Sequence, residues 1–335
     1  MTLQFENLVI PGLDDLVETS LETVRAALNF SQEEFMELLR EEGDGIFKVL
    51  DDTLTDTVLS KVTANYLDEQ NEKYLGIRNK MLAEYRDMFQ PYFLFVHSTY
   101  NVWSVIRKQV DGKQLDVADY TLIGFLFTLC DMADEIGQVL AGSSVRAALT
   151  LWRSFYEHAV TGIFLLEKDS AELFKRFADF SHRDVKKQSE SYENHHQTLK
   201  FPALTDEMAK AITDQTENLK KQHGKDFLDD YAWAKTALGE KSANFHKIET
   251  AAGMSRYRPF YIWASNYIHP NFRTATNMNQ TIDKESLINP MQLTIFTFKL
   301  FLDRFLFRFS VNHQYGTNIL VFWKITERLK KSFDS

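Results

Sequence analysis

Along most of the chain, apolar residues recur every three or four positions, and this spacing predicts α-helices rather than strands. The strongest pattern lies between residues 117 and 167, where two long helices are predicted with a turn at Gly142 between them. The second of these helices is apolar on every side but one. A helix with so wide an apolar surface is expected to be buried.

The N-terminal region has helical patterns that are shorter or more polar. Ser31 is followed by Glu34 three residues later, and this pair predicts the capping box of a short helix. Pro91 predicts the first turn of a longer helix that is rich in aromatic residues. We therefore expect an N-terminal helical extension, residues 1–110, and a helical core domain, residues 111–335.

The C-terminal half also has a helical pattern. Asp169 with Glu172 predicts the start of a long helix, whose second half, Arg183–Lys200, is almost entirely polar. Further helices are predicted at residues 205–223, 226–238 and 259–269, and two more close the chain. The predicted fold is all-α, an irregular multi-helix bundle with the N-terminal extension attached.

The composition narrows the class of protein. The 335 residues include only 13 Gly and 6 Pro, too few turn residues for an all-β fold of this length. The net charge of −9 argues against a broad basic surface that grips nucleic acid through its phosphates. The single cysteine, Cys130, has no partner for an intramolecular disulfide, which fits a reducing, cytoplasmic compartment.

No segment is predicted to enter a membrane. The N-terminus has neither the basic start nor the long apolar core of a signal peptide. The most apolar segment, Met291–Val311, is interrupted by four charged residues, whereas a spanning helix needs about 20 mostly apolar ones. We interpret this segment as a buried helix with one polar edge.

A polar stripe follows the helix predicted after Gly142. Its members are spaced by three, four, three and four residues, so they share one helix face: Ser143, Arg146, Thr150, Arg153 and Glu157. Arginines on a buried helix must be paired, because an isolated buried charge is very costly. Glu157 lies one turn after Arg153 and is the predicted partner for it.

A second stripe lies about a hundred residues later. Tyr261, Ser265 and His269 recur every four residues on the helix that Pro270 ends. A histidine at a helix C-terminus is favoured in its charged form by the helix dipole. We expect Glu157 to be its partner across the interface between the two helices.

These stripes give the chain a resemblance to a known family. The run from Arg146 to His158, then Trp233, and the run from Tyr261 to Pro270 resemble the bacterial family of unknown function DUF5677 over residues 120–310. Members of that family have an Arg-x3-Glu motif on one helix and a later Ser-x3-His motif. The resemblance implies a helical fold and a paired polar centre, and it supplies no activity.

The sharpest functional hypothesis is a metal-independent ribonuclease of the HEPN type, or an enzyme acting on a phosphate-bearing small molecule. HEPN enzymes carry an Arg-x4–6-His motif, and Arg153 and His158 have that spacing. In this hypothesis His269 transfers a proton, Glu157 orients the ring of His269, and Arg153 binds the phosphate. The side chains expected to contact the substrate are Arg146, Tyr261 and Ser265. No cofactor is expected, and analogy suggests a role in stress response or phage defence.

Other hypotheses stay open from the sequence. The polar centre also fits a structural network in a non-catalytic scaffold or sensor. A Ser–His hydrolase through Ser265 and His269 lacks the Gly-x-Ser-x-Gly elbow. A di-iron site at Glu193-x-x-His196 lacks the second such motif that it requires, so no metal is expected. A binding module would use Arg183–Lys200 and the C-terminal helices to dock a partner or a second copy.

Overall fold

The computed structural model shows an all-α protein. The described residues are 22, 25–26, 29–41, 63–268 and 284–309. They form helices joined by turns, with no strand among them. The chain divides into two compact units, residues 1–80 and 81–335. The sequence pattern predicts an N-terminal extension that ends at residue 110.

Twelve α-helices lie within the described residues and are numbered along the chain. The first two are α1 (Gln32–Glu41) and α2 (Thr63–Glu84). The others are α3 (Arg86–Val110), α4 (Val117–Ala141), α5 (Val145–Lys168), α6 (Ala171–Phe180), α7 (His182–His195), α8 (Asp206–His223), α9 (Lys235–Leu238), α10 (Phe245–Ala251), α11 (Arg258–Ser265) and α12 (Lys284–Arg308).

The start of α1 has the capping box that the sequence predicts. The backbone N–H of Glu34 donates to Ser31 Oγ over 3.3 Å, and the backbone N–H of Ser31 donates to Glu34 Oε2 over 2.8 Å. A helix start leaves four backbone donors without a partner, and a polar cap satisfies one of them. Loss of such a cap costs about 1 kcal/mol.

Helix α5 is the central helix of the second unit, with α4 and α12 packed along it. The rings of Phe155 on α5 and Phe298 on α12 meet edge to face, with centroids 5.6 Å apart. Gly162 of α5 lies directly against Phe301 of α12, so close that a Cβ at this glycine would be 2.7 Å from the ring. All three rings are fully buried, and each such burial stabilises the fold by about 2 kcal/mol.

Helix α12 contains the apolar segment that the sequence interprets as buried with a polar edge, and the described part confirms it. Lys299 pairs with Asp303 over 2.6 Å, and Arg308 donates to Asp119 of α4 over 3.3 Å. No helix within the described residues is both long enough and apolar enough to cross a bilayer.

Two predicted helix starts differ from the structure. Helix α3 begins at Arg86, so Pro91 lies inside the helix rather than in its first turn. The N-cap of α6 is Ser170, whose hydroxyl accepts from the N–H of Leu173 over 3.4 Å, and not Asp169. Asp169 adopts a left-handed conformation, with φ of 34°, and ends α5.

Two predicted helices are interrupted. The long helix predicted after Asp169 breaks at Ser181, whose hydroxyl donates to the carbonyl of Ala178 over 2.7 Å. The first half of the helix predicted at residues 226–238 is turns, and Tyr231 at their end is left-handed, with φ of 57°. Only a short 3-10 turn and α9 remain helical there.

A buried histidine ties α6 to α8. His223 Nε2 donates to Asp179 Oδ2 over 2.7 Å, and its Nδ1 accepts from Arg176 over 3.2 Å. Lys175 donates to the same Asp179 oxygen over 2.7 Å. Burial alone would raise the pKa of Asp179, but the hydrogen bonds from Lys175 and His223 hold it below its ordinary value. The carboxylate is therefore kept in its charged form.

Candidate functional site

The polar stripe of α5 meets the polar stripe of α11. Arg153 and Glu157 form an ion pair, with Nη2 3.0 Å from Oε1. Arg153 also donates from Nε to Ser265 Oγ over 3.1 Å and from Nη2 to Tyr261 Oη over 2.9 Å. Arg153, Glu157, Tyr261 and Ser265 form one cluster, here named the polar centre. Its two charged side chains are 22% and 30% exposed, so the ion pair is largely sheltered from water.

Tyr261 is the member of the polar centre that joins the two helices most closely. Its hydroxyl donates to Glu157 Oε1 over 2.6 Å while it accepts from Arg153. Burial and the hydrogen bond to Glu157 raise the pKa of Tyr261 well above its ordinary value. The ring lies near two guanidinium groups, with the Cζ atoms of Arg153 and Arg258 5.0 and 5.2 Å from its centroid. Tyr261 therefore stays protonated and acts as a donor to the carboxylate.

The other residues of the predicted stripes lie elsewhere. The side chain of Arg146 is exposed and makes no hydrogen bond or ion pair with the described residues. Ser143 is in the left-handed turn before α5, with φ of 65°. Helix α11 ends at Ser265 and is followed by turns to residue 268. His269, predicted as the proton-transfer group, lies outside the described residues.

A second buried network lies beside the polar centre, and the sequence analysis missed it. Glu249 of α10 is fully buried, and its Oε1 accepts from the Tyr156 hydroxyl over 2.7 Å. Its Oε2 accepts from Arg258 over 3.2 Å and from His246 over 3.1 Å. A buried carboxylate is tolerated only with such partners. Glu249 carries no stripe signal, because it falls between the helices predicted at residues 226–238 and 259–269.

Tyr156 and Glu157 are neighbours in sequence, and each serves a different network. Burial and the hydrogen bond to Glu249 raise the pKa of Tyr156, so it too remains protonated. The Tyr156 hydroxyl also lies 3.0 Å from the carbonyl of Met254. Helix α5 is thus joined through successive residues to α10 and to α11.

A cavity of about 710 Å³ lies beside the polar centre. Its walls come from the first half of α4, the middle of α5, the junction of α6 and α7, and the segment that leads to α10. The residues that line it are Leu115, Asp116, Val117, Tyr120, Thr121, Phe125, Glu157, His158, Thr161, Phe177, Ala178, Phe180, Ser181, Asp184, Tyr231, Trp233 and Phe245. Glu157 therefore belongs both to the polar centre and to the cavity wall.

The aromatic wall of the cavity is held by α6. The rings of Phe177 and Trp233 meet edge to face, with centroids 4.8 Å apart. Arg176 donates to the backbone carbonyls of Trp233 and Ala232 over 3.3 and 3.2 Å. These hydrogen bonds fix the short turn that carries Trp233 into the wall.

His158 brings a titratable ring to the cavity beside Glu157. Its Nδ1 lies 2.8 Å from the carbonyl oxygen of Ser154, so Nδ1 carries the proton of that hydrogen bond. In the neutral ring, Nε2 is then the acceptor. Tyr231 lies close by, and burial together with the negative charge of Glu157 raises its pKa.

The residues considered for a metal site have other partners. Glu193 accepts from the backbone N–H of Leu204 over 3.0 Å, and Glu190 pairs with Lys186 over 2.8 Å. Throughout the described residues, no three His, Cys, Asp or Glu side chains are grouped so that they could hold a metal ion.

The comparisons with known proteins agree with the resemblance seen in the sequence. The model of a family described as a family of unknown function, DUF5677, matches residues 119–286. This range begins at the third residue of α4, contains α5 to α11 and includes all four residues of the polar centre. No curated protein and no solved structure matches the chain.

Proposed function

The chain belongs to the family of unknown function DUF5677, and for it we propose a role as a ligand-binding sensor module that takes up a small molecule in the cavity beside Glu157. The observation that carries this proposal is the double position of Glu157. Its carboxylate is fixed by Arg153 and Tyr261, and the same residue borders the cavity. A polar group held in one orientation at the wall of an apolar cavity is typical of a binding site.

The size and lining of the cavity support the proposal. Small-molecule sites occupy about 300–1,000 Å³ and have mostly apolar walls with a few polar groups. The cavity has about 710 Å³, and seven of its lining residues are Phe, Tyr or Trp. Such walls bury the apolar body of a ligand, while a few polar groups fix its orientation.

The hydrogen-bond capacity of Glu157 supports it further. Both Arg153 and Tyr261 contact Oε1, and Oε2 has no partner among the described residues. A carboxylate oxygen accepts up to two hydrogen bonds, so Oε2 is available to a ligand donor. Because the carboxylate is already oriented, binding would not have to order it.

A metal-independent ribonuclease of the HEPN type, or another phosphate-directed enzyme, is the second candidate. The observation in its favour is His158, which lies beside Glu157 and whose Nε2 has no hydrogen-bond partner among the described residues, so that it could transfer a proton. The geometry of Arg153 argues against it. Its Nε donates to Ser265, and its Nη2 is shared by Glu157 and Tyr261, which leaves only Nη1 for a phosphate.

A cavity-filling variant tests the binding role. Ala178 is exposed on α6 and lines the cavity, so Ala178→Trp places an indole in the ligand space. Ala171→Trp is the matched control, since Ala171 is exposed on the same helix and does not line the cavity. A fragment library screened by ligand-observed NMR should give ligands that bind wild type and the control but not Ala178→Trp. Ligands that bind all three proteins equally, or no ligand at all, would contradict the proposal.

The enzymatic candidate has a separate test. Wild type is incubated with several RNAs in the presence of EDTA, beside His158→Ala and His269→Ala. The binding role predicts no cleavage by any of the three proteins. Cleavage by wild type that either substitution abolishes would establish the ribonuclease instead.

A further inference from the structure

The ionised groups at the cavity are acidic at neutral pH. Asp116, Glu157 and Asp184 line it, and no lysine or arginine occurs among the described residues that do so. Arg153 compensates part of the Glu157 charge from the side of Oε1, and Arg183 pairs with Asp184 over 3.3 Å. Asp116 has no basic partner among the described residues, and Oε2 of Glu157 has none either. The cavity therefore favours a positive charge over a negative one.

Aromatic rings surround the end of the cavity at Glu157. The ring centroid of Phe245 lies 5.1 Å from that of Tyr261 and 6.4 Å from that of Tyr231. Tyr261 in turn donates to Glu157, so Phe245 and Tyr231 border the same end of the cavity as the carboxylate. The face of an aromatic ring attracts a cation within about 6 Å of its centroid.

From these observations we infer that the ligand is a small organic amine, protonated at neutral pH, with an apolar or aromatic body. The ammonium group donates to Glu157 Oε2 and rests against Tyr231 and Phe245. The body lies along the wall formed by Phe177 and Trp233. This inference rests on the proposed binding function and adds the chemical class of the ligand to it.

An anionic or phosphate-bearing ligand does not fit this end of the cavity. Its charge would meet the carboxylates of Glu157, Asp116 and Asp184, and no lysine or arginine among the described lining residues is placed to bind it. A neutral ligand with the same body would gain the apolar contacts alone. Cationic, neutral and anionic ligands with the same body should therefore differ in affinity because of their charge.

Three probes with one common body test the inference. Phenethylamine is the cation, 2-phenylethanol the neutral analogue and phenylacetate the anion. Isothermal titration at neutral pH and low salt should give a dissociation constant for the amine about tenfold below that of the alcohol. Phenylacetate should bind most weakly.

Two variants and a control test whether the ammonium group of the ligand binds at the acidic end of the cavity. Glu157→Gln should raise the dissociation constant of phenethylamine about tenfold and leave that of phenylethanol unchanged. Because Glu157 also holds Arg153, a second variant avoids the polar centre. Asp116→Asn should weaken amine binding about twofold, since the charge is lost while asparagine still caps α4. Glu172→Gln removes an exposed charge outside the cavity and should change nothing.

The outcomes separate the inference from the function on which it rests. If the alcohol binds as tightly as the amine, the inference is wrong and the proposed binding function stands. If the amine binds best but both Glu157→Gln and Asp116→Asn leave its affinity unchanged, it binds elsewhere and the inference is again wrong. If none of the three probes binds wild type at about 1 mM, the inference is wrong, and the fragment screen with Ala178→Trp decides the binding function separately.

Discussion

Removal of the Tyr261 hydroxyl tests whether the polar centre holds α5 and α11 together. Tyr261→Phe keeps the ring but removes an acceptor from Arg153 and a donor to Glu157. Hydrogen bonds to charged groups contribute about 1.5–3 kcal/mol each when they are buried. The side chains of Arg153 and Glu157 are 22% and 30% exposed, so hydrogen bonds to water offset part of the lost energy. We expect a decrease of about 2 kcal/mol in the free energy of unfolding.

Equilibrium unfolding in urea, followed by far-ultraviolet circular dichroism, measures this decrease. A thermal melt should show a drop of about 4–8 °C for the same change. Tyr120→Phe is the matched control, because Tyr120 is 74% exposed and its hydroxyl has no hydrogen-bond partner among the described residues. The control should change the free energy by less than about 0.5 kcal/mol.

A double-mutant cycle shows whether the loss comes from the contact itself. Glu157→Gln combined with Tyr261→Phe should give a coupling energy of about 1 kcal/mol. If Tyr261→Phe is as stable as the Tyr120→Phe control, the hydroxyl does not hold the helices together and the structural part of the argument is refuted.

Four further substitutions, one of them a control, test the packing and the charged groups of the second unit. Gly162→Ala should lower the free energy of unfolding in urea by about 1–2 kcal/mol, because the added Cβ meets a buried ring. Gly124→Ala is the control: the space around Gly124 is open, so this change should raise the free energy of unfolding by up to about 1 kcal/mol. Asp179→Asn should lose about 2 kcal/mol at pH 7, and melting at a series of pH values should show the difference from wild type shrinking as the pH falls through the lowered pKa of Asp179. Glu249→Ala should cost about 2–3 kcal/mol, since it removes the acceptor of Tyr156 and the carboxylate partner of Arg258, which is 31% exposed and so is partly solvated after the change. A loss below about 1 kcal/mol would contradict the importance of this network.

The sequence predicts the parts of this structure that depend on near neighbours. The capping box of Ser31 and Glu34 and the ion pair of Arg153 with Glu157 join residues three or four apart, and both are present. The helical class follows from periodicity in the same way. The contact between the two stripes also agrees with the expectation that buried arginines are paired. The sequence predicts that Tyr261 and Ser265 contact a substrate, whereas in the structure both are hydrogen-bond partners of Arg153.

The rest depends on contacts between distant segments, which a single sequence does not display. Glu249 and Arg258 lie in a region of short helices without clear periodicity, so nothing marks the carboxylate as buried. The break at Ser181 arises from one hydroxyl that bonds back to a carbonyl, although the polar residues beyond it continue a helical pattern. The cavity is a space between five segments, and only their packing creates it.

The packing of α12 along α5 has a consequence for synthesis on the ribosome. The contact between Arg304 and Glu167 joins residues 137 positions apart, and that between Arg308 and Asp119 joins residues 189 apart. At a translation rate of roughly 5–20 residues per second, α12 is synthesised on the order of ten seconds after α5. The face of α5 that packs against Phe301 is uncovered during this time. During that interval the nascent chain presents an apolar helix hairpin, which makes it a natural client for chaperones that hold unfinished proteins.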